Sequence, residues 1–276
     1  MTGRTAGLTS ATLVCFAANS LLCRAALRPG LADAASFSLV RLLAGAAMLA
    51  LLLALQGSGR PRGGSWASAL ALSGYALAFS FAYRRIDAGV GALVLFAAVQ
   101  AGMIGWSVVK GERPLSREWA GLLLALGGLV ALARPGRSAP DFLGVGPMAL
   151  AGLAWAAYTL RGRGAGDPLA TNADNFLRGV PLAAAALLLV PEIHMAPSGF
   201  GLAAASGAVA SGLGYTLWYA ALRGLGRTQA AVVQLAVPVL AALGGVLLLG
   251  ETATLRLVLC GLAILGGVAL AVSARR

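Results

Sequence analysis

The sequence predicts an all-α integral membrane protein: ten transmembrane helices arranged as two inverted five-helix repeats, residues 1–138 and 139–276. Three observations carry this expectation. Hydrophobic residues make up 59% of the chain and charged residues 11%, where soluble domains hold about 45–50% and about 25%. The apolar residues fall in runs of about 20, the length a helix needs to cross hydrocarbon. One phrase occurs twice, GERPLSREWAGLLLALGG at 111–128 and GETATLRLVLCGLAILGG at 250–267.

The runs are 8–26, 34–55, 66–84, 88–110, 116–133, 142–161, 172–191, 199–222, 227–249 and 253–274. The first is too long for a signal peptide, and Arg24 and Arg28 follow it without a small-residue cleavage site. It carries Asn19 near its middle. Helix two holds Arg41 about two turns inside its end, and the polar loop GSGRPRGG (57–64) separates it from helix three, which is centred on Tyr75. Helix four is centred on Gln100, and Gly111-Glu112 leads into helix five. The loop ARPGRSAPD (133–141) precedes helix six with Trp155 and Tyr158; helix seven holds Asp174 and Arg178, and a short loop carries the single histidine, His194. Helix eight has Tyr215, Trp218 and Tyr219 on one side, helix nine has Gln234 and Pro238, and Gly250-Glu251 leads into helix ten.

Shifting the second half by 139 residues lays Gly250-Glu251 on Gly111-Glu112, Trp155 on Phe16 and Tyr158 on Asn19; a shift of 137 lays Arg178 on Arg41. Five is an odd number, so the second half enters the membrane upside down. Inverted repeats of this kind place a cargo site near the midplane between the halves and allow it to open to either side in turn. Lys and Arg near the helix ends number twelve on the N-terminal side and seven on the other, which puts both termini in the cytoplasm.

The net charge of +12 sits in the loops, singly or in pairs, with no basic stripe interleaved with aromatics, so nucleic acid is not expected as a partner. The expected partners are a small-molecule substrate and the lipid bilayer, with the chain acting as a monomer. Cys15, Cys23 and Cys260 lie in apolar runs and suit neither a disulfide nor a metal. No cluster of titratable groups suits an enzyme, and no phosphate-binding loop suits ATP drive. No cofactor is expected.

Polar groups at membrane depth are the candidate site. Asn19, Tyr75, Gln100, Tyr158, Tyr215 and Gln234 belong to six different helices at similar depth, with Trp155 deep on helix six. They either tie helices together by hydrogen bonds or bind cargo, with the aromatics as walls for a flat substrate. Trp218 and Tyr219, near a helix end, suit an interfacial belt. Arg41 and Arg178 either snorkel to the interface, Arg178 with Asp174 one turn away, or form a carboxylate clamp or gate on each side. Glu112 and Glu251 suit the dipole of the helix each precedes. None of the nine acidic residues falls at mid-depth, so transport is expected to run downhill or by exchange, without a proton gradient. Pro238 removes the partner of the Gln234 carbonyl and is expected to act as a hinge.

FSLVRLLAGAAML (37–49), the phrase at 111–128 and LAVPVLAALGGVLLLGETATLRLVLCGLAILGG (235–267) together resemble the drug/metabolite transporter superfamily in its ten-helix EamA-like branch, over essentially the whole chain. The Arg of helix two, the mid-helix Pro followed by Gly-Glu, and the closing Gly-rich helix carry the resemblance in that order. One departure is visible: the family often has a Pro in helix four as well, where this chain has Val99 and Gln100. Within the branch the chain is similar to bacterial aromatic amino-acid exporters. The resemblance implies export of phenylalanine, tyrosine, tryptophan and related compounds across the inner membrane. A drug or a nucleotide sugar as cargo in the same fold, or a channel, are the alternatives.

Overall fold

The computed structural model describes residues 3–57, 60–111, 115–133, 140–162, 166–222, 224 and 233–273. Among them there is no strand, only an isolated antiparallel bridge between Ala32 and Met195. The helices are α1 (Gly3–Leu27), α2 (Ala34–Leu55), α3 (Trp66–Tyr83), α4 (Ala88–Val109), α5 (Ser116–Ala133), α6 (Phe142–Gly162), α7 (Pro168–Ala185), α8 (Pro197–Ala205), α9 (Gly214–Leu222), α10 (Ala236–Leu249) and α11 (Leu255–Ser273). A π-helical stretch, Ser206–Leu213, joins α8 to α9 without a break, so Pro197–Leu222 forms one rod in place of the predicted helix eight. Among the described residues five stretches are long and apolar enough to cross a membrane: Gly3–Leu27, Ala34–Leu55, Ala88–Val109, Phe142–Gly162 and Pro197–Trp218.

Local chemistry sets the boundaries. Asp33 caps α2, accepting from the N–H groups of Ala35 and Ser36, both at 2.9 Å, and its second oxygen accepts from the His194 N–H at 2.9 Å. Burial works against this carboxylate, but the bonds from Ser36, His194 and Ala35 outweigh it and hold its pKa below the usual value. The loop with the single histidine is thereby anchored to the start of α2. Helix α7 starts at Pro168, ahead of the predicted 172, because Asp167 caps the Ala170 N–H at 3.1 Å and Pro168 occupies the first helical position. It gives way to a 3₁₀ turn at Ala186–Leu189.

Large apolar side chains point outward, among them Leu70, Leu123, Leu247 and Leu262, while serines, glycines and alanines fill the helix contacts. Large apolar side chains on the outer surface, with small residues at the helix contacts, fit lipid as the outer solvent. The main pairings are α5 with α11, α3 and α4 with α6, α2 with α7, α1 with α10, and the Pro197–Leu222 rod with α1 and α2.

The α5–α11 contact depends on glycine. A Cβ on Gly267 would lie 2.6 Å from the Ala125 nitrogen and against the Gly121 carbonyl, and a Cβ on Gly121 would meet the Gly267 carbonyl in return. Gly267→Leu is expected to force the pair apart at about 1–3 kcal/mol or more, read as a lower melting temperature and poor recovery of monodisperse protein from detergent. Gly266→Leu, whose Cβ would meet nothing within 4 Å, is expected to leave both unchanged.

Candidate functional site

Helices α1, α3, α4 and α6, the π stretch, α9 and the start of α10 line a small cavity. Its walls are aromatic. The Trp155 ring on α6 stacks on Tyr215 of α9, with centroids 5.2 Å apart and planes at 22°. On its other side Trp155 meets Tyr75 of α3 at 4.9 Å. Phe16 of α1 approaches Tyr215 edge-on at 5.9 Å. Such offset and edge-on pairs hold one another rigid and present flat apolar faces. Gln234 and Val237 close one side, Leu95 and Phe96 another.

One end of the cavity is polar. Arg41 of α2 is only 2% exposed and lies behind the wall, its guanidinium 5.1 Å from the ring centroids of both Tyr75 and Phe79. Its Nη2 donates to the Tyr75 hydroxyl at 3.2 Å and its Nε to the Ser211 hydroxyl at 3.4 Å. Nη1 is buried with no hydrogen-bond partner, and no carboxylate pairs with Arg41 among the described residues. A buried cation left without a counter-ion is expensive, so this end of the cavity carries an uncompensated positive charge. Asn19 of α1 completes the network: its amide nitrogen donates to the Tyr75 hydroxyl at 3.3 Å and its oxygen accepts from Ser206 at 2.7 Å. The π stretch allows this. Gly207 lies so close that a Cβ there would run into the Arg41 carbonyl, and the wider turn aims both Ser206 and Ser211 at α1 and α2.

A second charged cluster ties α1 to the α3–α4 corner and to the segment before α11. Arg24, in the last turn of α1, bonds Glu251 at 3.1 Å, Asp87 at 2.7 Å and the Tyr83 carbonyl at 2.9 Å. Glu251 also accepts from the Ala88 N–H at the start of α4, at 2.9 and 3.0 Å. Burial and the charge of Asp87 push the Glu251 carboxyl above the usual range, against the Ala88 N–H and Arg24. The cluster pins α1 and the α3–α4 corner to the segment between α10 and α11.

The model of the EamA-like transporter family matches residues 142–273. A Bacillus subtilis protein named "Uncharacterized transporter YwfM" is 30% identical over 82% of this chain and 80% of its own. The chain belongs to the EamA-like transporter family. It is a multi-pass membrane protein. An "Uncharacterized protein PA1977" from Pseudomonas aeruginosa is 52% identical over 99% of this EamA-like chain and 96% of its own. An "Uncharacterized transporter" of Archaeoglobus fulgidus is 27% identical over 73% and 74%. A solved structure described as "Crystal structure of protein" has the same fold, with a TM-score of 0.69 at 24% identity over 97% of each chain.

In this EamA-like transporter the cavity brings together Asn19, Tyr75, Trp155, Tyr215 and Gln234. Other expected site residues lie elsewhere. Gln100 is half-buried on α4 and is not among the lining residues. Tyr158 sits on the far side of Trp155, donating to Asn172 and accepting from Asn175 at 3.5 Å, so it ties α6 to α7. Arg178 pairs with Asp174 at 2.9 Å and lies over the Trp66 ring. Arg41 does not snorkel at all, so the two repeat-related arginines occupy unlike surroundings. Pro238 falls in the first turn of α10, where its missing N–H costs little; the Gln234 carbonyl accepts from the Val237 N–H at 3.0 Å, so it is not left open as the sequence suggests. Glu251 meets the N-terminus of α4 and not that of the helix it precedes. Trp218 contacts Phe16 at 6.0 Å. Glu112 and the Tyr219 side chain lie outside the described residues.

Sequence reasoning missed the Arg24 cluster, the π stretch and the cavity role of Phe16. The repeat shift held two of the signals, since it pairs Phe16 with Trp155 and, at 137, Arg24 with Arg161.

Proposed function

We propose that the chain is a secondary transporter that exports small metabolites, aromatic amino acids first among them, across the bacterial inner membrane by alternating access. The observation that carries this reading is the aromatic cavity, walled by residues from both halves of the chain; the Arg24 cluster is read as the closure of one end. The packing supports two inverted five-helix repeats, because two main contacts between halves have counterparts with the halves exchanged. Helix α3 packs on α6 as the Pro197–Leu222 rod packs on α1, and α4 packs on α6 as α10 packs on α1. The family match to 142–273 covers nearly the second repeat alone.

With both termini cytoplasmic, the Arg24–Glu251 cluster closes the periplasmic end. The repeat relation pairs Arg24 with Arg161 and Glu251 with Glu112, so the opposite end closes by the same two residue types when the cavity faces the periplasm. Arg161 here bonds the Ser68 and Ser65 hydroxyls at 3.2 and 3.5 Å. The break at Gln234–Leu235, just ahead of Pro238, is the proposed hinge, since it puts a turn at the cavity wall. Arg178 is the proposed gate residue on the cytoplasmic side, beside the α2–α3 loop that Asp174 holds through the Gly64 N–H at 2.9 Å.

Purified protein in vesicles preloaded with unlabelled phenylalanine is expected to take up labelled phenylalanine by saturable counterflow, with the proton gradient collapsed. Among the described residues no acidic side chain lines the cavity to carry a coupling proton. Uptake that is linear in concentration with no counterflow marks a channel, and uptake abolished with the gradient overturns the proton-independent mechanism.

A further inference from the structure

We infer that the cavity selects an anionic head group: the cargo it holds best is a small aromatic carboxylic acid in ionised form, its ring against Trp155 and Tyr215 and its carboxylate at the Tyr75–Ser211 end, in front of Arg41. The inference rests on the cavity being the cargo site, as proposed above, and narrows the class of compound that fills it.

The charge inventory is one-sided. Arg41 is a full positive charge, buried, with one terminal nitrogen unpartnered. Its immediate neighbours are neutral: the rings of Tyr75 and Phe79 and the hydroxyls of Tyr75 and Ser211. The lining residues include no acid, and the buried carboxylate of Glu251 is committed to Arg24 and the Ala88 N–H at the closed end.

The hydrogen-bond directions point the same way. The Tyr75 hydroxyl accepts from both Arg41 and Asn19. Its remaining capacity is its own O–H, and Tyr75 lines the cavity. Ser211 likewise accepts from Arg41 and keeps its O–H to give. The Asn19 amide oxygen already accepts from Ser206. This end of the cavity therefore presents donors backed by a cation, the arrangement that suits a carboxylate. Arg41 does not touch the cavity itself; it is a positioning residue that acts through Tyr75 and Ser211.

An ammonium entering the same space meets a like charge in low dielectric and finds no carboxylate. A zwitterion gains at one end and loses at the other. For one aromatic body, the expected order of affinity is carboxylate, then amino acid, then amine.

Three probes test this with a shared ring and linker: 3-phenylpropanoate, phenylalanine and 2-phenylethylamine, titrated calorimetrically into the purified full chain in detergent near neutral pH. The expected result is a Kd for phenylpropanoate about tenfold or more below that for phenylalanine, and weaker binding still of the amine. Arg41→Gln is expected to erase the order, Arg41→Lys to keep it, and Tyr75→Phe to weaken the carboxylate selectively. If Arg41→Gln does not fold, the order in the parental protein and the Tyr75→Phe effect decide. Equal affinity for the three, or phenylalanine tightest, overturns the charge selection and leaves the cavity as cargo site. Binding of none of the three overturns the cargo-site reading as well.

Discussion

Arg24→Gln is expected to cost about 3–5 kcal/mol of stability and to release the end of the transporter that Arg24 closes. Arg24 stands between two carboxylates, Asp87 and Glu251, and also holds the Tyr83 carbonyl. Removing it leaves Glu251, whose side chain is 4% exposed, with a neighbouring negative charge and no cation. Glu251→Gln is expected to be milder, because it removes the excess charge and keeps an acceptor for the Ala88 N–H. The sign of the pH dependence follows from the raised Glu251 pKa. A carboxyl with a higher pKa folded than unfolded takes up a proton more readily in the folded state. Its contribution to stability is present below the unfolded value of about 4.5 and is lost as pH rises through the folded value. The Arg24→Gln defect is therefore expected to shrink on acidification. Thermal unfolding of both variants in detergent across that range checks this; a defect that grows on acidification contradicts it.

Trp155→Ala is expected to weaken cargo binding about tenfold or more with the fold retained. Trp155 is half-buried, stacks on Tyr215 and supports Tyr75, so its loss removes the centre of the aromatic wall. Tyr158→Phe is the contrasting variant. It removes the hydroxyl shared with Asn172 and Asn175 and is expected to lower stability while leaving affinity near the parental value. Calorimetric titration with phenylalanine separates the two, and an unchanged Kd in Trp155→Ala contradicts the placement of the cargo.

Helix positions were readable from hydropathy because lipid imposes a length on every run. The runs 34–55 and 116–133 coincide with α2 and α5 at both ends. Asn19, Tyr75, Trp155, Tyr215 and Gln234, which line one cavity, were readable as candidates because each is a polar or aromatic group at a depth where such groups are costly. Depth alone does not fix facing. Gln100 and Tyr158 lie at similar depth and turn elsewhere, Tyr158 toward Asn172 and Asn175 of α7. Arg24 was hidden because a charge at a helix end is usually a loop charge. Its partner Glu251 is 227 residues away, and no local pattern joins them. The π stretch was hidden for a related reason. SGAVASGL (206–213) has no local signature of a wider turn, which follows from the close approach of α2 at Gly207.

The access of the cavity to each side of the membrane tests alternating access most directly. In a chain with Cys15, Cys23 and Cys260 replaced, a single cysteine at the cavity-lining position 95, Leu95→Cys, is exposed to a membrane-impermeant maleimide from either side of oriented vesicles. Alternating access predicts that labelling comes from the side of the α1 N-terminus, and that Arg24→Gln adds labelling from the opposite side. Passage of the maleimide through the cavity to the far side with Arg24 in place, or no change in opposite-side labelling on breaking the cluster, contradicts it.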